Sequence, residues 1–250
     1  MHMPTAEATQ STESNIAPQM PLEQPDVTVL VPALDEEETI GEVVRRCLAL
    51  PIDVQVIVIN DGSTDRTGEV LQGFGDAITV LTNPVRSGKG AAIRQALPFA
   101  AGKTVIVQDA DLEYAPEQIP ALIQPILLGQ TKVVYGTRFA KGLTHGMALP
   151  NKLVNRMLRA AVGILYFHHL SDEATCYKAF STEFLREMDL QCVRFEFCPE
   201  VTAKTFRLGE KIMELPITYV PRNKAAGKKI RWTDAPEAFW TLLKYRFWRK

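Results

Sequence analysis

Disulfide and metal-site patterns are what this chain most clearly lacks. Its four cysteines, Cys47, Cys176, Cys192 and Cys198, form no C-x-x-C pair and have no metal-ligand spacing. They are expected to be reduced thiols in or near the core of a cytosolic protein. Long apolar runs are missing too: no stretch reaches the ~18 uninterrupted apolar residues of a membrane-spanning helix. Charge of one sign is absent, with 28 Lys and Arg against 29 Asp and Glu for a net of −1. No global field therefore draws in nucleic acid, and an electrostatic partner must be met by a local patch. Residues 1–25 contain much Thr, Ser, Glu, Gln and Pro and no hydrophobic signal-peptide core. The expectation there is a disordered N-terminal tail. No internal repeat is found.

What is present is ordinary globular content, 46% hydrophobic over 250 residues, enough for a sizeable core. From Val27 the chain alternates strand and helix patterns. Val27–Val31, Val54–Ile59, Ile78–Leu81, Val105–Gln108 and Lys132–Tyr135 read as strands. Helical spacing follows in Glu36–Leu50, Thr64–Gly73, Gly90–Ala101 and Pro116–Leu128. Short turns between them imply an α/β fold with a mostly parallel sheet covered by helices on both faces. Beyond Gly136 the rhythm breaks into a loop (Phe139–Leu149), an amphipathic helix (Asn151–Tyr166), short strands near Thr175–Phe180 and Ile212–Ile217, and a helical tail. The pattern thus divides the chain into 26–137, 138–233 and 234–250, the last an amphipathic basic and aromatic helix.

The chemistry gathers at strand ends. Asp109-Ala110-Asp111 follows the run Thr104-Val105-Ile106-Val107, and carboxylates two apart on an extended chain point the same way. Both can reach one hard cation such as Mg²⁺ or Mn²⁺. Three more strand ends, carrying Asp35, Asp61 and Lys89, meet that pair in the crevice at the carboxyl edge of a parallel sheet. Asp35 and Asp61 could accept hydrogen bonds from a ribose or a base, and Lys89, between two glycines, could approach a phosphate where a helix begins. Singly, each residue is as readily a turn former, a cap or a solvated charge.

Together these strings resemble the inverting family 2 glycosyltransferases with a GT-A fold. The match rests on Val29-Leu30-Val31-Pro32-Ala33-Leu34-Asp35-Glu36, Asn60-Asp61-Gly62-Ser63-Thr64-Asp65, Gly88-Lys89-Gly90 and Asp109-Ala110-Asp111. The resemblance implies a nucleotide-sugar donor, GDP- or UDP-linked, held by Pro32, Ala33, Asp35, Glu36, Asp61, Lys89, Asp109 and Ala110. It also implies a divalent metal on Asp109 and Asp111, with Glu113 able to join. Asp109-Ala110-Asp111-Leu112-Glu113 is further similar to the polyprenyl-phosphate sugar synthases. That similarity implies a dolichyl or undecaprenyl phosphate acceptor met by Arg138 and Arg222, with Lys228 and Lys229 closing over the diphosphate. Asp35 and Leu34 depart from the more frequent family residues, which bears on base selectivity.

A lipid phosphate acceptor is already anionic and needs no strong base, whereas a saccharide or small hydroxyl acceptor needs a carboxylate, for which Asp172 is the candidate. Asp111, Asp172 and Arg138 are therefore the catalytic candidates. A polyprenyl acceptor would also require surface attachment at the cytoplasmic face of a membrane. The aromatic and basic tail (Phe239, Trp240, Phe247 and Trp248 with Lys244, Arg246 and Arg249) suits a headgroup boundary. The stripe Leu153, Val154, Met157, Leu158, Ala161, Val162 and Leu165 is expected to face the core. His145 reads as a loop residue, and His168-His169 as structural at a helix end. A nucleotidylyltransferase, on a similar sheet, would want a Gly-rich loop after the first strand, and Pro32–Glu36 stands there instead.

Overall fold

The computed structural model describes residues 24–139, 149–221 and 235–249. Seven strands form one sheet: β1 (Val27–Ala33), β2 (Val54–Asp61), β3 (Thr79–Asn83), β4 (Thr104–Val107), β5 (Val133–Thr137), β6 (Lys178–Ser181) and β7 (Met213–Pro216). Their order is β3-β2-β1-β4-β6-β5-β7. β1 to β4 pair in parallel, β5 pairs in parallel with β7, and β6 alone runs antiparallel between β4 and β5. The expected α/β class with a mostly parallel sheet is the one observed.

β-Branched runs build the centre because both faces are covered. In β1, Val27, Val29 and Val31 pack on one side and Leu30 on the other. The first side is closed by α1 (Ile40–Leu48), α2 (Thr67–Gln72) and α4 (Ile119–Leu127), through Val43, Val44, Leu71, Leu122 and Ile123. The second is closed by α3 (Lys89–Ala96), α5 (Leu149–Tyr166), α6 (Thr182–Glu187), α7 (Phe197–Arg207) and α8 (Ala235–Arg246). Each fully buried Val, Leu or Ile contributes about 1.5–3 kcal/mol.

Two expectations need correction. The helix expected to run to Ala101 becomes a 3₁₀ turn after Ala96, because Pro98 has no N–H to continue the ladder. On α5, Leu153 (59% exposed) and Met157 (50%) face outward, while the core takes Asn155, Leu158, Val162 and Tyr166. α8 buries Thr241, Leu242 and Tyr245 and leaves Trp240, Leu243 and Phe247 outside. His168 stacks on Phe206 at 4.3 Å, a structural contact. No helix among the described residues is long and apolar enough to cross a membrane. The tail at 1–25, apart from its last two residues, lies outside the described residues, as do His145, Arg222, Lys228 and Lys229.

Candidate active site

Because β1, β2, β4 and β5 run the same way, their carboxyl ends deliver Asp35, Asp61, Asp109 and Arg138 to one edge. The N-terminal end of antiparallel β6 arrives there as well, bringing Cys176 and Tyr177.

The β1 and β2 loops are laced together. Asp35, whose φ of +49° is tolerable for an aspartate, accepts from Thr64 N at 2.7 Å, and its own N–H donates to Ser63 Oγ at 3.0 Å. Glu36 N donates to Thr67 Oγ1, Glu37 N to Asp65 Oδ2, and Arg66 N to Glu37 Oε2. Thr39 Oγ1 donates to Ala110 O at 2.7 Å, tying this rim to the Asp109–Asp111 turn.

Asp61 is buried and its carboxylate is already filled. Oδ1 accepts from Ser87 N (2.8 Å), Ser87 Oγ (2.6 Å) and Asn83 Nδ2 (2.9 Å), while Oδ2 accepts from Gly88 N (2.7 Å). Burial alone would raise its pKa, but these donors outweigh it and hold the carboxyl below its usual range. Asp61 therefore clamps the loop leading into α3.

The N-terminus of α3 is also spoken for. Gly90 N and Ala91 N donate to Arg194 O and Val193 O, both at 2.9 Å, so these backbone donors are taken by a loop from far along the chain. Close approach explains the glycines. A Cβ on Gly88, at φ +103°, would stand 2.4 Å from Val193 O, and one on Gly90 2.9 Å from Cys192.

Lys89 itself turns into the crevice. Its Nζ forms an ion pair with Asp109 Oδ1 and lies 3.5 Å from Cys176 Sγ. Burial would lower the Lys89 pKa, yet Asp109 raises it; burial would raise Asp109, yet Lys89 holds it low. The pair is thus charged on both sides. Beneath it, buried Gln108 donates from Nε2 to Asp109 O and Tyr114 O and accepts from Tyr177 Oη, which fixes the turn from below. Asp111 Oδ1 accepts from Glu113 N, and the intervening Leu112 sits at φ +57°, a left-handed conformation that leucine rarely adopts.

A divalent cation suits Asp109 and Asp111 on the chemistry of the donor set. Two hard carboxylates project from one strand end, and no group of three His, Cys, Asp or Glu among the described residues could hold a metal. Such a site leaves the remaining positions to water and phosphate oxygens, the arrangement Mg²⁺ favours. Glu113, the expected third carboxylate, accepts from Tyr219 Oη at 2.9 Å.

On the acceptor side, Arg138 is 7% exposed and Asp172 fully buried. Asp172 Oδ2 accepts from Arg138 N (3.1 Å) and Nε (2.7 Å), and Oδ1 from Nη2 (2.8 Å), a bidentate charge-assisted pair. Tyr219 lies against the guanidinium, with Cζ 5.1 Å from the ring centroid. Gln108, Cys176, Glu214 and Tyr219 are parts of the site that motif reading did not assign. Gln108 is a polar residue ending a β-branched run, and Cys176, Glu214 and Tyr219 stand in the strings Ser171–Phe180 and Glu214–Tyr219, which resemble family motifs.

A model of the family described as "Glycosyl transferase family 2" matches residues 28–189. The chain belongs to the family 2 glycosyltransferases. It is 30% identical over 197 residues to glycosyltransferase AglJ of Haloferax volcanii, covering 78% of this chain and 63% of the relative. It is 28% identical over 221 residues to the low-salt glycan biosynthesis hexosyltransferase Agl6 of the same organism, covering 86% of this chain and 51% of that one. The chain thus spans between half and two thirds of the length of these relatives. The fold is shared with glucosyl-3-phosphoglycerate synthase of Mycobacterium tuberculosis, solved with Mn²⁺, UDP-glucose and phosphoglyceric acid. That match has a TM-score of 0.66 at 24% identity, covering 90% of this chain and 81% of the other.

The expected polyprenyl phosphate acceptor is corrected here. The solved relatives sharing this fold hold a small phosphorylated acceptor. Arg138 is sunk in the crevice and locked to Asp172, so only a group that enters the crevice can reach it.

Proposed function

We propose that this protein transfers a sugar, with inversion, from a UDP-sugar to the hydroxyl of a small phosphorylated acceptor resembling phosphoglycerate, with Mg²⁺ or Mn²⁺. The observation that carries the reading is the buried Arg138–Asp172 pair beside the Asp109–Lys89 pair. An anion site and a candidate proton acceptor thereby lie next to two carboxylates able to hold a diphosphate-bound metal. UDP rather than GDP is favoured by the solved relatives of the same fold, which hold UDP or UDP-glucose.

Asp109 and Asp111 hold the cation, which when bound supplies Lewis-acid relief of the charge on the departing diphosphate. Lys89 adds positive field at the same place. Pro32, Ala33, Asp35, Glu36 and Ala110 form the rim against the nucleotide, and Asp61 fixes the loop that sets Lys89. Arg138 retains guanidinium N–H groups not spent on Asp172, and these take the acceptor phosphate. Competition by that phosphate for Arg138 frees an oxygen of Asp172 to accept the hydroxyl proton.

The test is transfer from UDP-glucose to 3-phosphoglycerate with Mn²⁺, in wild type and Asp172→Asn. The expectation is product from wild type and a fall in kcat on the order of 100-fold or more in the variant, the weight of a general base, with UDP affinity unchanged. No transfer to any small phosphorylated hydroxyl compound, or an unimpaired Asp172→Asn, would sink the proposal.

A further inference from the structure

Strand β7 carries a carboxylate with no role so far. Glu214, paired across the ladder with Tyr135, leaves the sheet edge toward the turn that precedes β6. Its Oε1 and Oε2 accept from Ser171 N at 2.9 and 2.8 Å, and Oε1 also accepts from Ser171 Oγ (2.7 Å) and Asp172 N (3.1 Å). Every partner is a donor, and the carboxylate accepts from all of them.

This assignment settles the direction of the next bond. Ser171 Oγ spends its only proton on Glu214, so in the 2.5 Å contact with Thr137 the threonine hydroxyl must donate. Thr137 Oγ1 in turn accepts from Phe139 N at 3.3 Å. Thr137 and Phe139 flank Arg138 in the chain, while Asp172, held by Glu214 through its backbone N–H, grips Arg138 by both Nε and Nη2. Two arms therefore leave Glu214 and close on Arg138, one through the Thr137 backbone and one through the Asp172 carboxylate. The same strand leads on to Tyr219, whose ring covers the guanidinium.

We infer that Glu214 is a positioning residue for the acceptor-side cation: it fixes the Ser171-Asp172 turn, and through it aims Arg138. Glu214 does not touch substrate. Its importance as a specificity element rests on the reading of Arg138 as the acceptor-phosphate contact.

A glutamine at this position keeps the shape, but with its amide oxygen at Oε1 its N–H₂ opposes Ser171 N, and the negative charge that strengthens all of these bonds is gone. Charged hydrogen bonds of this kind carry enough energy that KM for 3-phosphoglycerate should rise about tenfold or more in Glu214→Gln. The Kd for UDP with Mn²⁺ should change less than about twofold. The decisive arm is a double-mutant cycle with Arg138→Ala. If Glu214 acts through Arg138, Glu214→Gln adds nothing to KM in that background, whereas a merely structural role would add its full penalty in both.

A second readout does not depend on knowing the substrates. By amide hydrogen exchange on the full chain, Glu214→Gln should speed exchange at residues 137–139 and 171–172 and leave 107–111 and 88–92 unchanged. Uniformly faster exchange, or none, overturns the inference even if wild type proves inactive on these substrates. Inactive wild type with the local exchange pattern intact would count against the functional reading and leave the positioning role standing. Additivity in the cycle would overturn the inference while the functional reading survives.

Discussion

Replacing Asp61 by asparagine exchanges one carboxylate oxygen for an amide nitrogen and should cost the fold measurably. Four donors converge on this buried side chain, three on Oδ1 and one, Gly88 N, on Oδ2. Whichever way the amide turns, its N–H₂ faces a group that is itself donating. Leaving a buried donor unmet costs about 1–3 kcal/mol, and more where the lost acceptor was charged. For a chain of this size each kcal/mol lowers Tm by about 2–4 °C, so a drop of roughly 3–10 °C is expected by scanning calorimetry at pH 7. The pH dependence supplies a second check. The folded-state carboxyl is depressed, so its contribution is fully present above the unfolded-state pKa of about 3.9 and is lost as pH falls through the lower folded value. The gap in Tm between wild type and Asp61→Asn should hold from pH 8 to 5 and narrow below about 4. A Tm within 1 °C of wild type, or a gap insensitive to acid, would refute the clamp.

Gly88→Ala should be more damaging than an ordinary loop substitution, because the new methyl meets Val193 O at a left-handed backbone; the measurement is Tm together with exchange at Gly90 and Ala91. Lys204→Met should expose the cost of an uncompensated charge. Glu200 and Lys204, both fully buried, pair at 2.6 Å, and Glu200 also accepts from Gln191 N and Cys192 N. Removing one partner of such a pair costs on the order of 3–5 kcal/mol, and urea unfolding should show a loss of unfolding free energy of that size, while a loss under about 1 kcal/mol would refute it.

The sequence made the first four strands readable because central parallel strands bury both faces and so consist almost entirely of β-branched residues, as Val54–Ile59 does. It did not reveal that β6 inserts antiparallel between β4 and β5, since a four-residue strand carries no mark of its partners. Helix α7 was missed for a related reason. It buries Glu200, Thr202, Lys204 and Thr205 along with its apolar residues, which erases the polar and apolar faces that periodicity detects. In the site, Asp109 and Asp111 stand two apart in one short motif, so the sequence itself places them in the same turn. The contacts that hold Asp61 and fill the start of α3 come from residues 22 to 104 positions away, beyond any local pattern. Glu214 lies 43 residues from its partner Ser171 and sits in an edge strand where a glutamate looks solvated. Arg138 and Asp172 were both picked out, but their pairing with each other, which changes what each can do, belongs to the fold.

The central claim is that Asp109 and Asp111 hold a divalent ion against a nucleotide diphosphate. Titration calorimetry of UDP into the protein tests it most directly, with Mn²⁺, with chelator, and with Mn²⁺ in the Asp109→Asn and Asp111→Asn variants. Binding that weakens at least about tenfold in chelator and in both variants is predicted, the loss expected when a coordinating charge is removed. Equal affinity under all four conditions would contradict the account.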